Sequence, residues 1–179
     1  MKKIILTVAA VFALSFANAQ DKGGSSEMKF GVKAGYLSSN INSDLDTDPR
    51  SSFYIGGLVD FAVSEKFHVQ PELLYSMEGT GDDGGKLDYL RIPIMAKYYV
   101  ADGLNIQAGP SIGFVAGGDD LAKEVTTSTD FGLGFGAGYE LSSGLFFDAR
   151  YNLGLSNISD VDGFDAKTTS LNIGLGYRF

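Results

Sequence analysis

Few side chains in this sequence could carry chemistry. The single histidine, His68, stands in Phe67-His68-Val69-Gln70-Pro71-Glu72, where apolar and polar residues alternate. A histidine beside a serine at the outer leaflet could hydrolyse a lipid-A ester. His68, however, directly follows the tight segment 64–66, at the opposite end from the long connections, so it reads as a hydrogen-bonded interior residue. Asp44, Asp46 and Asp48 begin like an EF-hand loop, with Asp160, Asp162 and Asp165 as a second acidic set that could hold Ca²⁺. Pro49 occupies the position where that loop requires glycine, and Ile55 the position of its bidentate glutamate. These acids therefore read as solvated, mutually repulsive loop residues. Cysteine is absent, which excludes disulfides, thiolate metal sites and a lipid-modified cysteine. Nothing in this set implies a cofactor or a catalytic residue.

Other charges recur at every second position of apolar stretches. Lys29, Lys33, Arg91, Lys97, Arg150 and Arg178 share that placement with Asp60, Glu72, Asp130, Glu140 and Asp148. Their near balance suits a paired network inside an enclosed space. The elements that must position them are strands, because the alternation has a period of two. It predicts eight, over 28–37, 52–63, 67–77, 87–100, 104–116, 129–141, 145–155 and 168–179. The connections 64–66, 101–103 and 142–144 are tight, whereas 37–51, 78–86, 117–128 and 156–167 are long. Short and long links alternate, as they do where periplasmic turns are tight and external loops are free to grow. Each long link carries three acids and one base, among them Glu78 with Lys86 and Asp119, Asp120 and Glu124 with Lys123.

The ends and composition agree with this. Lys2 and Lys3 precede the apolar run 4–17, and Ala17-Asn18-Ala19 supplies the small residues of a signal-peptidase site. We expect a Sec-type signal over 1–19, cleaved after Ala19, then a polar leader over 20–27 and a barrel over 28–179. The remaining 160 residues hold 12 basic and 22 acidic groups, a net charge of −10. Nucleic acid is an improbable partner for such a chain.

Parity alone leaves open whether the apolar set faces lipid or a lumen. A soluble carrier of the lipocalin kind would point it inward. Three features favour lipid. Gly132, Gly134, Gly136 and Gly138 fall on the polar face, where a narrow lumen needs room for long side chains. The polar face carries both signs of charge. Aromatics of the apolar face gather toward both ends, Tyr36, Phe53, Tyr75, Phe114 and Phe131 at one, Phe30, Phe61, Phe67, Tyr98, Tyr139, Tyr177 and Phe179 at the other. Such girdles mark the two interfaces. Pro71, Pro93 and Pro110 interrupt strands by removing ladder donors, so local bulges are expected there.

The chain resembles the outer membrane β-barrel domain family that includes the PorT-like proteins. The resemblance rests on Gln70-Pro71-Glu72-Leu73-Leu74-Tyr75, on Tyr89-Leu90-Arg91-Ile92-Pro93-Ile94 with Lys97-Tyr98-Tyr99, and on Gly109-Pro110. It extends through Asp148-Ala149-Arg150-Tyr151-Asn152 with Gly154-Leu155 and Ile158 to Gly174-Leu175-Gly176-Tyr177-Arg178-Phe179. It implies an all-β fold, an eight-stranded antiparallel up-and-down transmembrane barrel in a Gram-negative outer membrane, and no enzyme activity. On this reading the barrel is a monomer. Its partners are outer membrane lipid, the barrel assembly machinery through Tyr177 and Phe179, and a surface or periplasmic protein of unknown identity. Lys33, Asp60, Glu72, Arg91, Lys97, Glu140, Asp148, Arg150 and Arg178 are expected to plug the lumen, because eight strands enclose little more than their own side chains. The competing readings are a small-solute pore, an accessory of a secretion system, and a lipid-modifying enzyme using His68.

Overall fold

The structure is a computed structural model that describes residues 28–42, 48–81, 85–124, 126–159 and 165–179. The expected signal 1–19, the leader 20–27 and Asp44, Asp46, Asp160 and Asp162 lie outside the described residues. Eight strands form one closed antiparallel barrel: β1 Met28–Asn42, β2 Arg50–Ala62, β3 Phe67–Gly79, β4 Lys86–Tyr99, β5 Leu104–Gly118, β6 Thr129–Glu140, β7 Leu145–Gly154 and β8 Lys167–Arg178. Closure by β8 on β1 leaves no free sheet edge, the condition under which a sheet can cross lipid.

Register sets the width. From Met28 the partners run to Phe61, Val69, Ala96, Ala108, Phe135, Tyr151 and Leu171, and return to β1 at Ser38, ten residues further on. That stagger over eight strands tilts them by roughly 40° and leaves an interior that side chains alone can fill. The tight turns end in Gly103 and Gly144, whose φ angles of 74° and 89° lie where a side chain would be strained.

Side-chain direction follows the alternation. Val32, Phe53, Ile55, Ile94, Ile106, Phe131, Leu133, Phe135, Ile173 and Leu175 are exposed on the outside, while Lys33, Glu72, Arg91 and Arg150 are buried. Near the loop side, the outward Tyr36 and Tyr75 bond Ser51 Oγ at 2.8 Å and Asp88 Oδ2 at 3.0 Å. An amphipathic ring beside a polar partner suits an interface.

Three features depart from the expectations. Several strands run further toward the loops, most of all β1, which pairs with β8 as far as Asn42–Lys167, and β3, which reaches Gly79. The third long link contains a short helix, α1 Asp120–Glu124, in which Lys123 bonds Asp120 at 2.8 Å and holds its carboxyl below the usual range. The prolines cause no bulge. The single register shift among the described residues lies on the β4–β5 ladder, where Asp88 pairs with Gly117 but Tyr89 with Val115. At the prolines the register is instead kept and pairing is skipped: Leu58–Glu72 is followed by Phe61–Val69, Pro71–Ile94 by Leu74–Arg91, and Pro93–Ser111 by Ala96–Ala108. A proline removes one ladder donor but adds no residue, so the register needs no shift to accommodate it.

Candidate functional site

Alternation delivers the inward charges of seven strands, all but β5, into three stacked clusters. Nearest the tight turns, Asp60 of β2 accepts from Arg178 Nη1 at 2.7 Å and Lys97 Nζ at 3.2 Å, and lies 2.5 Å from His68 Nδ1. Glu140 pairs with Arg178 and accepts from Tyr99 Oη at 2.7 Å. The His68 ring rests on Tyr99, 4.8 Å between centroids. His68 thus spends its nitrogen on a carboxylate that two cations already hold, at the turn end and inside the barrel.

Midway through, Glu72 of β3 is fully buried and accepts both guanidinium nitrogens of Arg150 from β7, at 2.8 and 2.6 Å. Lys33 lies 3.8 Å from Glu72 and 2.5 Å from Asp148, which is also 3.0 Å from Arg150. Two cations therefore meet two carboxylates. Gln70 donates to Glu72 at 2.5 Å and accepts from Lys97 at 3.1 Å, joining this cluster to the one below. Toward the loops, Arg91 donates to both oxygens of Glu78 at 2.5 and 2.6 Å and to Asp130 at 2.7 Å. Thr168 and Ser156 also donate to Asp130, at 2.7 and 3.0 Å.

Each of these charges taken alone would cost several kcal/mol to bury, and a carboxylate stripped of its partner would be a large defect. Bidentate geometry and the added amide and hydroxyl donors are what compensate it here. A gap inside the barrel beside Gln70, Lys97, Asn105, Gln107 and Phe146 measures about 10 Å³, at the lower limit of what a water needs. Below it, Lys29, Asp60, His68, Tyr99 and Glu140 line an open vestibule of about 220 Å³ on the turn side.

Lys33, Asp60, Glu72, Arg91, Lys97, Glu140, Asp148, Arg150 and Arg178 all occupy these clusters. Glu78 does not belong to the loop acids among which it was placed. It is 2% exposed and completes the Arg91 pair, because β3 extends past Met77 and keeps its parity. Glu78 is the next alternate position after the inward Ser76, one residue beyond the expected end of the strand. Asp48 and Asp165, the described members of the Ca²⁺ candidates, lie in separate loops, and Asp165 accepts from Asn157 at 2.6 Å. Among the described residues no group of three metal-ligating side chains comes together.

The lumen also holds apolar side chains, and alternation puts Tyr54, Leu58, Leu74, Tyr89 and Met95 on that face. Leu37, Tyr54 and Leu74 pack together inside, and Leu87, Tyr89, Ala122 of α1, Ile158 and Ala166 close the loop-side mouth. The inward glycines serve two purposes. Gly134 faces Asn152, where an added methyl would come within 2.6 Å of the side-chain oxygen, whereas Gly136 abuts the Ala149 carbonyl. Gly176 lies under Phe146, its register partner on β7.

Solved structures share this architecture. Ail, the attachment invasion locus protein of Yersinia pestis, matches over 86% of this chain and 99% of its own at 17% identity, with a TM-score of 0.56. Neisserial surface protein A matches over 87% and 99% at 15% identity, with a TM-score of 0.57. Identities this low speak for the fold alone. No curated protein sequence matches the chain. The family model described as outer membrane protein beta-barrel domain covers residues 18–160. With that match, and with apolar residues outside a closed barrel whose interior is ionic, the chain belongs to the outer membrane protein beta-barrel domain family and is an outer membrane barrel.

Proposed function

We propose that this barrel is a sealed, non-enzymatic anchor, serving as an envelope structural element or as a holder of external interaction loops. The observation that carries the reading is the chain of ion pairs across the lumen, Asp60–Arg178, Glu72–Arg150 and Glu78–Arg91–Asp130, capped by the apolar cluster at the loop-side mouth. Cations and carboxylates match one for one at the two lower levels, and at the third Arg91 is held between Glu78 and Asp130, so the side chains that fill the lumen are occupied with one another, which favours a plug over a pore. Lipid anchors the outer face, and the acidic loops present negative charge to whatever they meet. The ordered last strand, ending in Tyr177 packed against Phe179 at 5.7 Å, supports a role for these two residues in recognition by the assembly machinery. A protein reconstituted into planar bilayers should give no steady conductance of porin size. Stable open channels would refute the seal and favour a solute pore.

A further inference from the structure

The three in-strand prolines interrupt adjacent ladders side by side. Pro71 pairs with Ile94, the neighbour of Pro93, and Pro93 pairs with Ser111, the neighbour of Pro110. On the far side of each proline the ladder is open. Val59 and Asp60 lack register partners on β3, Glu72 and Leu73 lack them on β4, and Ile94 and Met95 lack them on β5. The five remaining ladders carry no such break among the described residues. The break also falls midway across the barrel. Pro71 is four residues from the girdle aromatic Phe67 and four from Tyr75. A missing ladder donor in the hydrocarbon region is costly, and all three in-strand prolines fall in this one wall.

The lumen ion pairs converge on the same residues. Glu72, on the open stretch between β3 and β4, is gripped from across the lumen by Arg150 of β7. Asp60, on the open stretch between β2 and β3, is held by Lys97 of β4, which also bonds Gln70 of β3. We infer that the middle of the β2–β5 wall is a built-in hinge, and that the Glu72–Arg150 and Asp60–Lys97–Gln70 contacts clamp it from inside where backbone pairing is missing. The missing donors let this wall flex at mid-membrane, the clamp limits that motion, and β6–β8 and the closure with β1 stay rigid. The ionic interior then has a mechanical role besides filling space.

Hydrogen exchange of the folded full chain in lipid nanodiscs, resolved by residue, tests this. In the unsubstituted protein the amides of Asp60, Leu73, Ile94 and Met95 should exchange about tenfold or more faster than those of Phe135, Ala149 and Ile173, midway along β6, β7 and β8. Glu72→Met should accelerate the first set further and leave the second within a factor of about two. Pro71→Val with Pro110→Val, both on the lipid face, restores two donors and should slow Asp60, Ile94 and Met95 toward the second set, while Leu73, on the ladder that Pro93 still interrupts, stays fast. Equal protection of the two walls in the unsubstituted protein would overturn the inference even if Glu72→Met failed to fold. So would an acceleration by Glu72→Met spread evenly over all strands, or no slowing in the double valine variant.

Discussion

The middle cluster offers a quantitative test through Glu72 and Arg150. Lys33 and Arg150 face Glu72 and Asp148, two cations against two carboxylates, all of them buried. Glu72→Met keeps the volume and removes one negative charge, leaving Arg150 and Lys33 to share Asp148. Arg150→Met leaves Glu72 and Asp148 to share Lys33. Each single change strands one unit of buried charge and should cost about 3–5 kcal/mol. The double variant restores the balance, because Lys33 and Asp148 still lie 2.5 Å apart. Replacing a buried ion pair by apolar residues of similar volume is often close to neutral, so the double variant should recover about 2 kcal/mol or more of either single loss. Urea unfolding in lipid vesicles, followed by far-ultraviolet circular dichroism, reads the difference. At roughly 1–3 kcal/mol per molar urea, each single variant should lower the midpoint by about 1–5 M. If the single variants lose less than about 1 kcal/mol, or their costs simply add in the double, the cluster is not a coupled buried network and the reasoning fails.

Two further substitutions probe the walls. A methyl at Gly176 would sit 2.2 Å from the Phe146 ring, so Gly176→Ala should cost about 1–3 kcal/mol in the same unfolding assay, and Phe146→Leu in that background should return part of it. Ile173, 53% exposed on the outer face near the middle of β8, meets acyl chains. Ile173→Arg should cost about 2–4 kcal/mol in bilayers, whereas Ile173→Leu should stay within about 0.5 kcal/mol.

The inside–outside assignment was legible because a strand alternates strictly, and one buried solvent boundary fixes the phase of each strand. Position along the strand was harder. Ser38, Ser39, Asn40 and Asn42 break the apolar pattern, so β1 reads as ending at Leu37, yet their backbone pairs with β8 out to Lys167. Pattern records the lipid band and the hydrogen-bonded ladder outruns it, which is also why Glu78 passed for a loop acid. The five residues of α1 are too few for a helical period to show. Leu58, Leu74 and Met95 sit inside, on the face where strand parity puts them, because a lumen needs packing as well as charge. Contacts such as Glu72–Arg150, 78 positions apart, depend on the closing stagger, which no local pattern encodes.

The central claim is that alternate residues face acyl chains around an enclosed ionic interior. Because the chain contains no cysteine, single cysteines can be introduced at Ala149, Tyr151, Leu171 and Ile173, and at Ser111, Ser170 and Asn172, and then spin-labelled in bilayers. Collision rates with dissolved oxygen should be high at the first four positions, which point outward, and low at the last three, which are buried. High oxygen contact at Ser111, Ser170 and Asn172, or water-like contact with a polar relaxation agent at Leu171 and Ile173, would contradict it.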